Sequence, residues 1–494
     1  MSIISVTEKN IEKSYSFEAG TVLLEFLRMH GYALSAPCGG KGKCGKCTVL
    51  LADAEGERKI AACSYVLQRD CKVFLPDGSA DFSWNDAVAF ETSFKAREGL
   101  GAAVDLGTTT VAVSLFNRMD GRCLGTMSRW NAQQSFGADV ISRIGFCIEQ
   151  DKGLETLTNL IRDQILQMLE ELCRGKGSEL REVKEIFVAG NTVMQHIFAG
   201  ISPESIAAAP FNPKSYFDEE KAHDLNGIPV HFSPCAAGYV GGDILAGILS
   251  TELDRSCEKT LLIDIGTNGE MVFGNKDGFV SCAVASGPAF EGAGIQCGMA
   301  AAKGAISEVR LGDEGLCFRV LDGGEAKGIC GSGILDLVAC LLELGYIDET
   351  GRLEGDDGSD RFYLTEDVYI TQKDIRQIQL AKAAVAAGIE LLMKEEHVDV
   401  GNIEKITLAG GFGNRLRAES AVRIGMLPRE LLGKIQGIGN ASLSGAQAAL
   451  LNPEERDRLK NIKKKCRYIE LSTHPDFNDC FIENMSFPED DYEY

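Results

Sequence analysis

A chain of 494 residues exceeds what one hydrophobic core holds, so two or three domains are expected. Hydrophobic residues at 45% and charged residues at 25% suit a folded globular protein, and no apolar run reaches the ~18 residues of a membrane span, so no membrane association is expected. A net charge of −22 repels phosphate backbones and removes nucleic acid from the expected partners, while a small nucleotide held by backbone amides and Mg²⁺ stays compatible. The first twenty residues read as polar and strand-like rather than as a signal peptide, so a cytoplasmic location is expected. In that setting seventeen cysteines point to metal or redox chemistry rather than disulfides. Most lie singly in apolar stretches and read as small buried hydrophobes.

In chain order, residues 2–6 and 13–17 alternate like paired strands, and residues 21–30 pattern as an amphipathic helix. The clustered cysteines follow as Cys38, Cys44, Cys47 and Cys63, spaced C-x5-C-x2-C-x15-C. Glycines at 39, 40, 42 and 45 leave the loop little side-chain bulk, so backbone can approach one compact object and donate N–H groups to its sulfurs. Zinc sites usually pair one C-x2-C with another or with histidines, which this asymmetric set lacks. The spacing resembles plant-type [2Fe–2S] ferredoxins, one residue longer in the first gap. Residues 48–51 and 72–75 would close a β-grasp sheet, and Cys71 reads as a bystander.

Residues 81–100 lose periodicity and read as a linker. Two passages then echo each other: Ala102-Ala-Val-Asp105-Leu-Gly107-Thr108-Thr109 within residues 102–116, and Leu261-Leu-Ile-Asp264-Ile-Gly266-Thr267-Asn268 within residues 261–273. Each is an apolar strand, an Asp, a tight Gly-Thr turn and a second strand. Each is followed by a helical segment (157–173 and 375–395) and a strand ending in Ala-Gly, at 185–192 and 405–413. One such turn occurs by chance; two in register mark an internal duplication. The turns offer N–H groups and hydroxyls to a phosphate tail from two sides, and Asp105 and Asp264 can hold Mg²⁺ through its waters. Gly410, Gly411 and Gly413 let backbone lie flat against adenosine. No Walker A motif occurs, nor a Gly-x-Gly-x-x-Gly between strand and helix.

The duplicated pattern resembles the ASKHA superfamily of acetate kinase, sugar kinases, heat-shock chaperones and actin. Further passages narrow the resemblance: Asn131-Ala-Gln-Gln-Ser-Phe-Gly-Ala-Asp139 through Ile144, Val188-Ala-Gly-Asn-Thr, Ser286-Gly-Pro-Ala-Phe-Glu291, Ile329-Cys-Gly-Ser-Gly and Ile438-Gly-Asn-Ala-Ser442. With the N-terminal unit they resemble the reductive activators of corrinoid proteins, over nearly the whole chain. The resemblance implies a multidomain α+β and α/β protein: a β-grasp [2Fe–2S] ferredoxin domain (1–80), a linker (81–99), two actin-like, ribonuclease H-like ATPase halves (100–255 and 256–470) and a tail (471–494). It implies ATP-dependent reduction of cob(II)alamin to cob(I)alamin on a corrinoid methyl-carrier protein, a low-potential electron donor and a homodimer. It assigns Cys38, Cys44, Cys47 and Cys63 to the cluster, and Asp105, Gly107, Thr108 and Thr109 to the first phosphate turn. Asp264, Gly266, Thr267 and Asn268 take the second, and Gly410, Gly411 and Gly413 the adenosine. Asp139 is assigned to the attacking water, against the alternative of a helix cap. Glu291 is a cleft carboxylate or a turn carboxylate. In Gly298-Met-Ala-Ala301 an alanine stands where the family commonly has arginine.

Other targets remain open at this point: another low-potential metalloenzyme, a nucleotide-binding redox sensor, or a small-molecule kinase with an accessory cluster.

Overall fold

The structure, a computed structural model, describes residues 2–8, 11–30, 32, 34, 36, 40, 42, 47–75, 94–219, 222–266, 268–313, 315–355, 358–413 and 415–489. Ile4 and Val6 alternate inward on β1 (Ser2–Glu8), which pairs antiparallel with β2 (Ile11–Phe17). The helix α1 (Leu23–Met29) buries Leu23, Leu24, Phe26 and Leu27. β3 (Thr48–Asp53), β4 (Gly56–Ala61) and β5 (Cys71–Phe74) complete a five-stranded sheet in the order β2-β1-β5-β3-β4, with β1 and β5 parallel. The sequence reading omitted β4, whose polar edge lacks alternation. Gly56, at φ +107°, turns the hairpin, and Asp53 accepts from Arg58 through both carboxylate oxygens (2.9 Å each).

The next half begins with the antiparallel run β6 (Leu100–Leu106), β7 (Thr110–Asn117) and β8 (Cys123–Trp130). After α2 (Val140–Glu149) and α3 (Gly153–Arg174), β9 (Val183–Gly190) lies parallel to β6. Then come α4 (Thr192–Ala199), β10 (His223–Leu225), β11 (Ile228–Phe232), parallel to β9, and α5 (Gly242–Ser250). The second half repeats this plan. β12 (Thr260–Ile265), β13 (Gly269–Asn275) and β14 (Gly278–Val284) run antiparallel. An insertion holds β15 (Ala305–Gly312), β16 (Gly315–Val320), β17 (Gly328–Ile329), α6 (Gly331–Glu343), β18 (Arg361–Tyr363) and β19 (Tyr369–Thr371). After α7 (Gln372–Glu395), β20 (Lys405–Ala409) joins β12 in parallel; past the short α8 (Gly410–Gly413) and α9 (Ala418–Arg423), β21 (Ile435–Gly437) joins β20 and leads to α10 (Ala441–Leu451). The orders β11-β9-β6-β7-β8 and β21-β20-β12-β13-β14 match strand for strand, as a duplication requires.

The halves meet through α5 and α10. Gly445 allows this approach: a Cβ there would lie 2.1 Å from the Ala246 carbonyl oxygen. Around this contact Leu245, Leu249, Leu262, Ala446 and Leu450 form one core shared by both halves.

Of the expected linker, residues 81–93 lie outside the described residues. Residues 94–99 belong to the first half. Arg97 donates its backbone N–H to Arg118 O (2.9 Å) and pairs with buried Glu185 (2.5 Å). The expected tail is likewise packed up to residue 489: α11 (Glu454–Lys465) and β22 (Cys466–Tyr468) lead to α12 (Phe477–Glu483) against α7. Beyond it, Phe487 is buried 5.5 Å from the Lys382 ammonium.

Candidate functional site

The ends of β6 and β12 point into one cavity of about 230 Å³ between the halves. Asp105, Gly107, Thr108 and Thr109 line it from one side, and Asp264, Gly266 and Asn268 from the other. Thr267 lies outside the described residues. Gly107 is required by the tightness of its turn, since a Cβ would meet the Thr110 carbonyl at 2.6 Å. Asn131 Nδ2 donates to Gly107 O (2.8 Å), Asn191 Nδ2 to Thr108 Oγ1 (2.8 Å), and Ser286 Oγ to Gly266 O (3.0 Å). Both turns are therefore braced before any ligand arrives.

Residues from the opposite half complete each side. Asn440 Nδ2 and Ser442 Oγ, at the start of α10, donate to the Asp105 carboxylate at 2.8 and 2.7 Å. Thr109 Oγ1 donates to Glu291 (3.0 and 3.2 Å), whose Oε1 would lie 3.6 Å from a Cβ on Gly266. Glu291 thus stands between the two turns. Asp243, at the start of α5, and Glu270 also line the cavity.

This crowding of carboxylates sets their protonation. Burial pushes Asp264 up to about 7, with the Asp105 and Glu291 charges adding to the effect. Burial also raises Asp243, with Asp264 next, and Glu270, with Asp243 next. Asp105 is raised by burial, and the bonds from Ser442 and Asn440 oppose that. Such a pocket holds excess negative charge that a divalent cation would relieve. Among the described residues no three His, Cys, Asp or Glu side chains converge to hold a metal unaided.

At the start of α8, Gly410 and Gly411 line the cavity. Gly410 has φ +81°, and a Cβ on it would sit 2.6 Å from Asp264 Oδ1. Gly413 is buried against Leu408, and Phe412, stacked on Phe290 (5.3 Å, 8°), lines the cavity wall beside it. Ala300 and Ala301, from the passage that departs from the family pattern, also face the cavity.

Asp139 is the N-cap of α2, accepting from Ser142 N (2.7 Å) and Ser142 Oγ (3.0 Å). The capping alternative therefore describes its geometry. Asp243, Glu270, Asn440 and Ser442 received no role in the sequence reading. Gly241-Gly242-Asp243 and Gly439-Asn440-Ala441-Ser442 start equivalent helices of the two halves, a second echo that could have exposed three of them.

In the N-terminal unit, Cys38 and Cys44 lie outside the described residues. Cys47, fully buried, leads into β3, and its carbonyl accepts from Ala62 N (2.9 Å), which places the neighbouring Cys63 beside it. Gly40, at φ +91°, lies beside Cys63, since a Cβ on it would be 3.8 Å from Cys63 Cβ. Cys71 is buried in β5, its thiol pushed up to about 11 by burial.

Three family profiles match the chain: a 2Fe-2S iron-sulfur cluster binding domain over residues 6–68, a RACo middle region over 100–256, and the C-terminal domain of RACo, the ASKHA domain, over 258–494. The chain is 32% identical over 421 residues to the corrinoid activation enzyme RamQ of Eubacterium limosum, across 78% of this chain and 70% of that one. It is 27% identical over 432 residues to the [Co(II) methylated amine-specific corrinoid protein] reductase of Methanosarcina barkeri, across 78% and 77%. A solved structure of a reductive activator for a corrinoid, iron–sulfur protein covers 99% of both chains, with TM-score 0.72 and 30% identity.

Proposed function

The chain belongs to the family of reductive activators of corrinoid proteins, and from that premise we propose that it uses ATP hydrolysis to pass one electron from a [2Fe–2S] cluster to a corrinoid protein, reducing inert cob(II)alamin to cob(I)alamin. The observation that carries this reading is the pair of braced phosphate turns facing one acidic cavity, in a chain that also holds a β-grasp ferredoxin fold.

The cluster, held by Cys38, Cys44, Cys47 and Cys63, supplies a one-electron store at low potential. Each ~100 mV that the electron climbs costs ~2.3 kcal/mol. Nucleotide binding offsets that cost only if the nucleotide states differ in their affinity for the partner. In the cleft, backbone N–H groups of Gly107–Thr109 and Gly266–Asn268 hold the phosphates. Asp105 and Asp264 would hold Mg²⁺, which would neutralise charge on the phosphate tail, and Phe412 with Gly410 and Gly411 would flank the adenosine. Glu291, between the turns, takes the water-positioning role first assigned to Asp139. A low-potential donor reloads the cluster. We also assign a homodimer, domain divisions at residues 80 and 256, and a cytoplasmic setting.

Anaerobic, chemically reduced protein mixed with a cob(II) corrinoid methyl carrier should develop the cob(I) absorption band with MgATP and not without it. A cluster-loaded, ATP-hydrolysing preparation that leaves several such carriers unreduced would move the target to another low-potential metalloenzyme. The carboxylate assignment has its own check. Asp139→Ala should lower stability by about 0.5–2 kcal/mol, the usual worth of an N-cap, with ATP turnover per folded molecule retained. Glu291→Gln should keep stability and lose turnover by on the order of 10²-fold.

A further inference from the structure

Residues 131–137 sit on the back of the first phosphate turn, in a motif whose only residue given a role in the sequence was Asp139. Asn131 N and Gln134 Nε2 both donate to Thr109 O, at 2.9 Å each. Arg143, with no exposed surface, ties the turn to this segment: Nη2 donates to Thr108 O (2.5 Å), Nε to Gly137 O (3.0 Å) and Nη1 to Gln133 Oε1 (3.2 Å). Burial lowers Arg143 to about 9, so it still carries its charge at neutral pH, and its bonded acceptors hold it in place. Turn and segment are thereby one braced body.

The outer side of that body touches the iron–sulfur unit. Arg28, in the last turn of α1, donates from Nη2 to Ser135 O, and its guanidinium carbon lies 4.9 Å from the Phe136 ring centroid. The same side chain borders the cysteine loop: a Cβ on Gly40 would be 3.9 Å from Arg28 Nη1 and 3.8 Å from Cys63 Cβ. One residue therefore contacts both the wall of the cluster loop and the bracket of the phosphate turn.

We infer that Arg28 is a positioning residue, docking the iron–sulfur unit on residues 135–136, and that filling the first phosphate turn releases it toward the corrinoid partner. This rests on the nucleotide role proposed above for Gly107–Thr109. The direction follows from Thr109. Its hydroxyl is held across the cleft by Glu291, and a γ-phosphate entering there repels that carboxylate and competes for the hydroxyl. The Thr109 carbonyl carries two of the bonds to the bracket, so its displacement reaches the docking face directly. Linkage requires reciprocity: if nucleotide disfavours the dock, breaking the dock must tighten nucleotide binding by the same factor.

The test is hydrogen exchange by mass spectrometry on the cluster-loaded full chain, with and without the non-hydrolysable analogue AMPPNP and Mg²⁺. Exchange across residues 23–29 should rise when AMPPNP binds. Arg28→Ala should show the raised exchange without nucleotide, lose the response, and bind AMPPNP about fivefold or more tightly. Phe136→Ala should behave alike from the other side of the contact. An unchanged cluster spectrum in both variants establishes that the iron–sulfur unit is folded. Residues 23–29 that exchange equally with and without bound AMPPNP, or an Arg28→Ala chain that keeps the response, would overturn the inference. Failure of the natural chain to bind AMPPNP at all would instead overturn the phosphate-site assignment on which it rests.

Discussion

An Asp264→Asn variant is expected to hydrolyse ATP on the order of 10²–10³-fold more slowly than the natural chain, and yet to unfold at a higher temperature at pH 8 without nucleotide. The first effect follows from removing a carboxylate proposed to hold the cation, whose charge stabilisation is worth several kcal/mol. The second follows from the same carboxylate when no nucleotide is bound. Burial and the neighbouring Asp105 and Glu291 charges raise it from 3.8 to about 7. In the unfolded chain it ionises near pH 4, whereas in the native chain it keeps its proton until about pH 7. Below pH 4 both states are protonated and there is no penalty. Between pH 4 and 7 the folded state loses ground, and above 7 the loss levels off at roughly 4 kcal/mol. The amide carries no such cost, so the stabilisation should be present at pH 8 and absent at pH 4. Thermal unfolding at the two pH values, beside an ATPase assay, reads both halves of the prediction. Equal unfolding temperatures at pH 8 would show that Asp264 is not desolvated in the apo cleft.

Cys47→Ala should abolish the visible absorption of the cluster and all electron transfer to the corrinoid protein while leaving nucleotide binding intact. Cys47 is fully buried at the start of β3, within the core of the small sheet, and its position is set by the Ala62 N–H. Loss of one of the four thiolates proposed as ligands would leave an iron site open, and Cys71, buried in β5, is not one of the four. Cys71→Ala should therefore keep the iron content of the natural chain. Iron analysis and visible spectra of the anaerobically reconstituted variants decide the matter. A Cys47→Ala chain that retains full iron would exclude Cys47 as a ligand.

The sequence by itself determined what depends on short-range chemistry. Four cysteines among glycines carry their ligand geometry in the spacing, and an Asp-x-Gly-Thr turn is dictated by a few consecutive residues. The duplication was legible because each half repeats these local signals in the same order, and the matching sheets repeat it in space. The role of Asp139 was not legible for a reason of the same kind. An acid at a helix start has the same local sequence whether it only caps the helix or also faces a cleft, and the structure shows it capping α2. Gly413 was equally ambiguous, because a glycine-rich turn does not say which of its residues line a cavity and which pack on Leu408. What tertiary structure alone decided are contacts between residues far apart in the chain. Asn440 reaches Asp105 across 335 positions, Glu291 reaches Thr109 across 182, and Arg28 reaches Ser135 across 107. Such pairs leave no periodicity or spacing in one sequence. The first two exist because α5 and α10 pack through Gly445 and close the two halves over a common cleft, a packing set by shape complementarity rather than by any local preference.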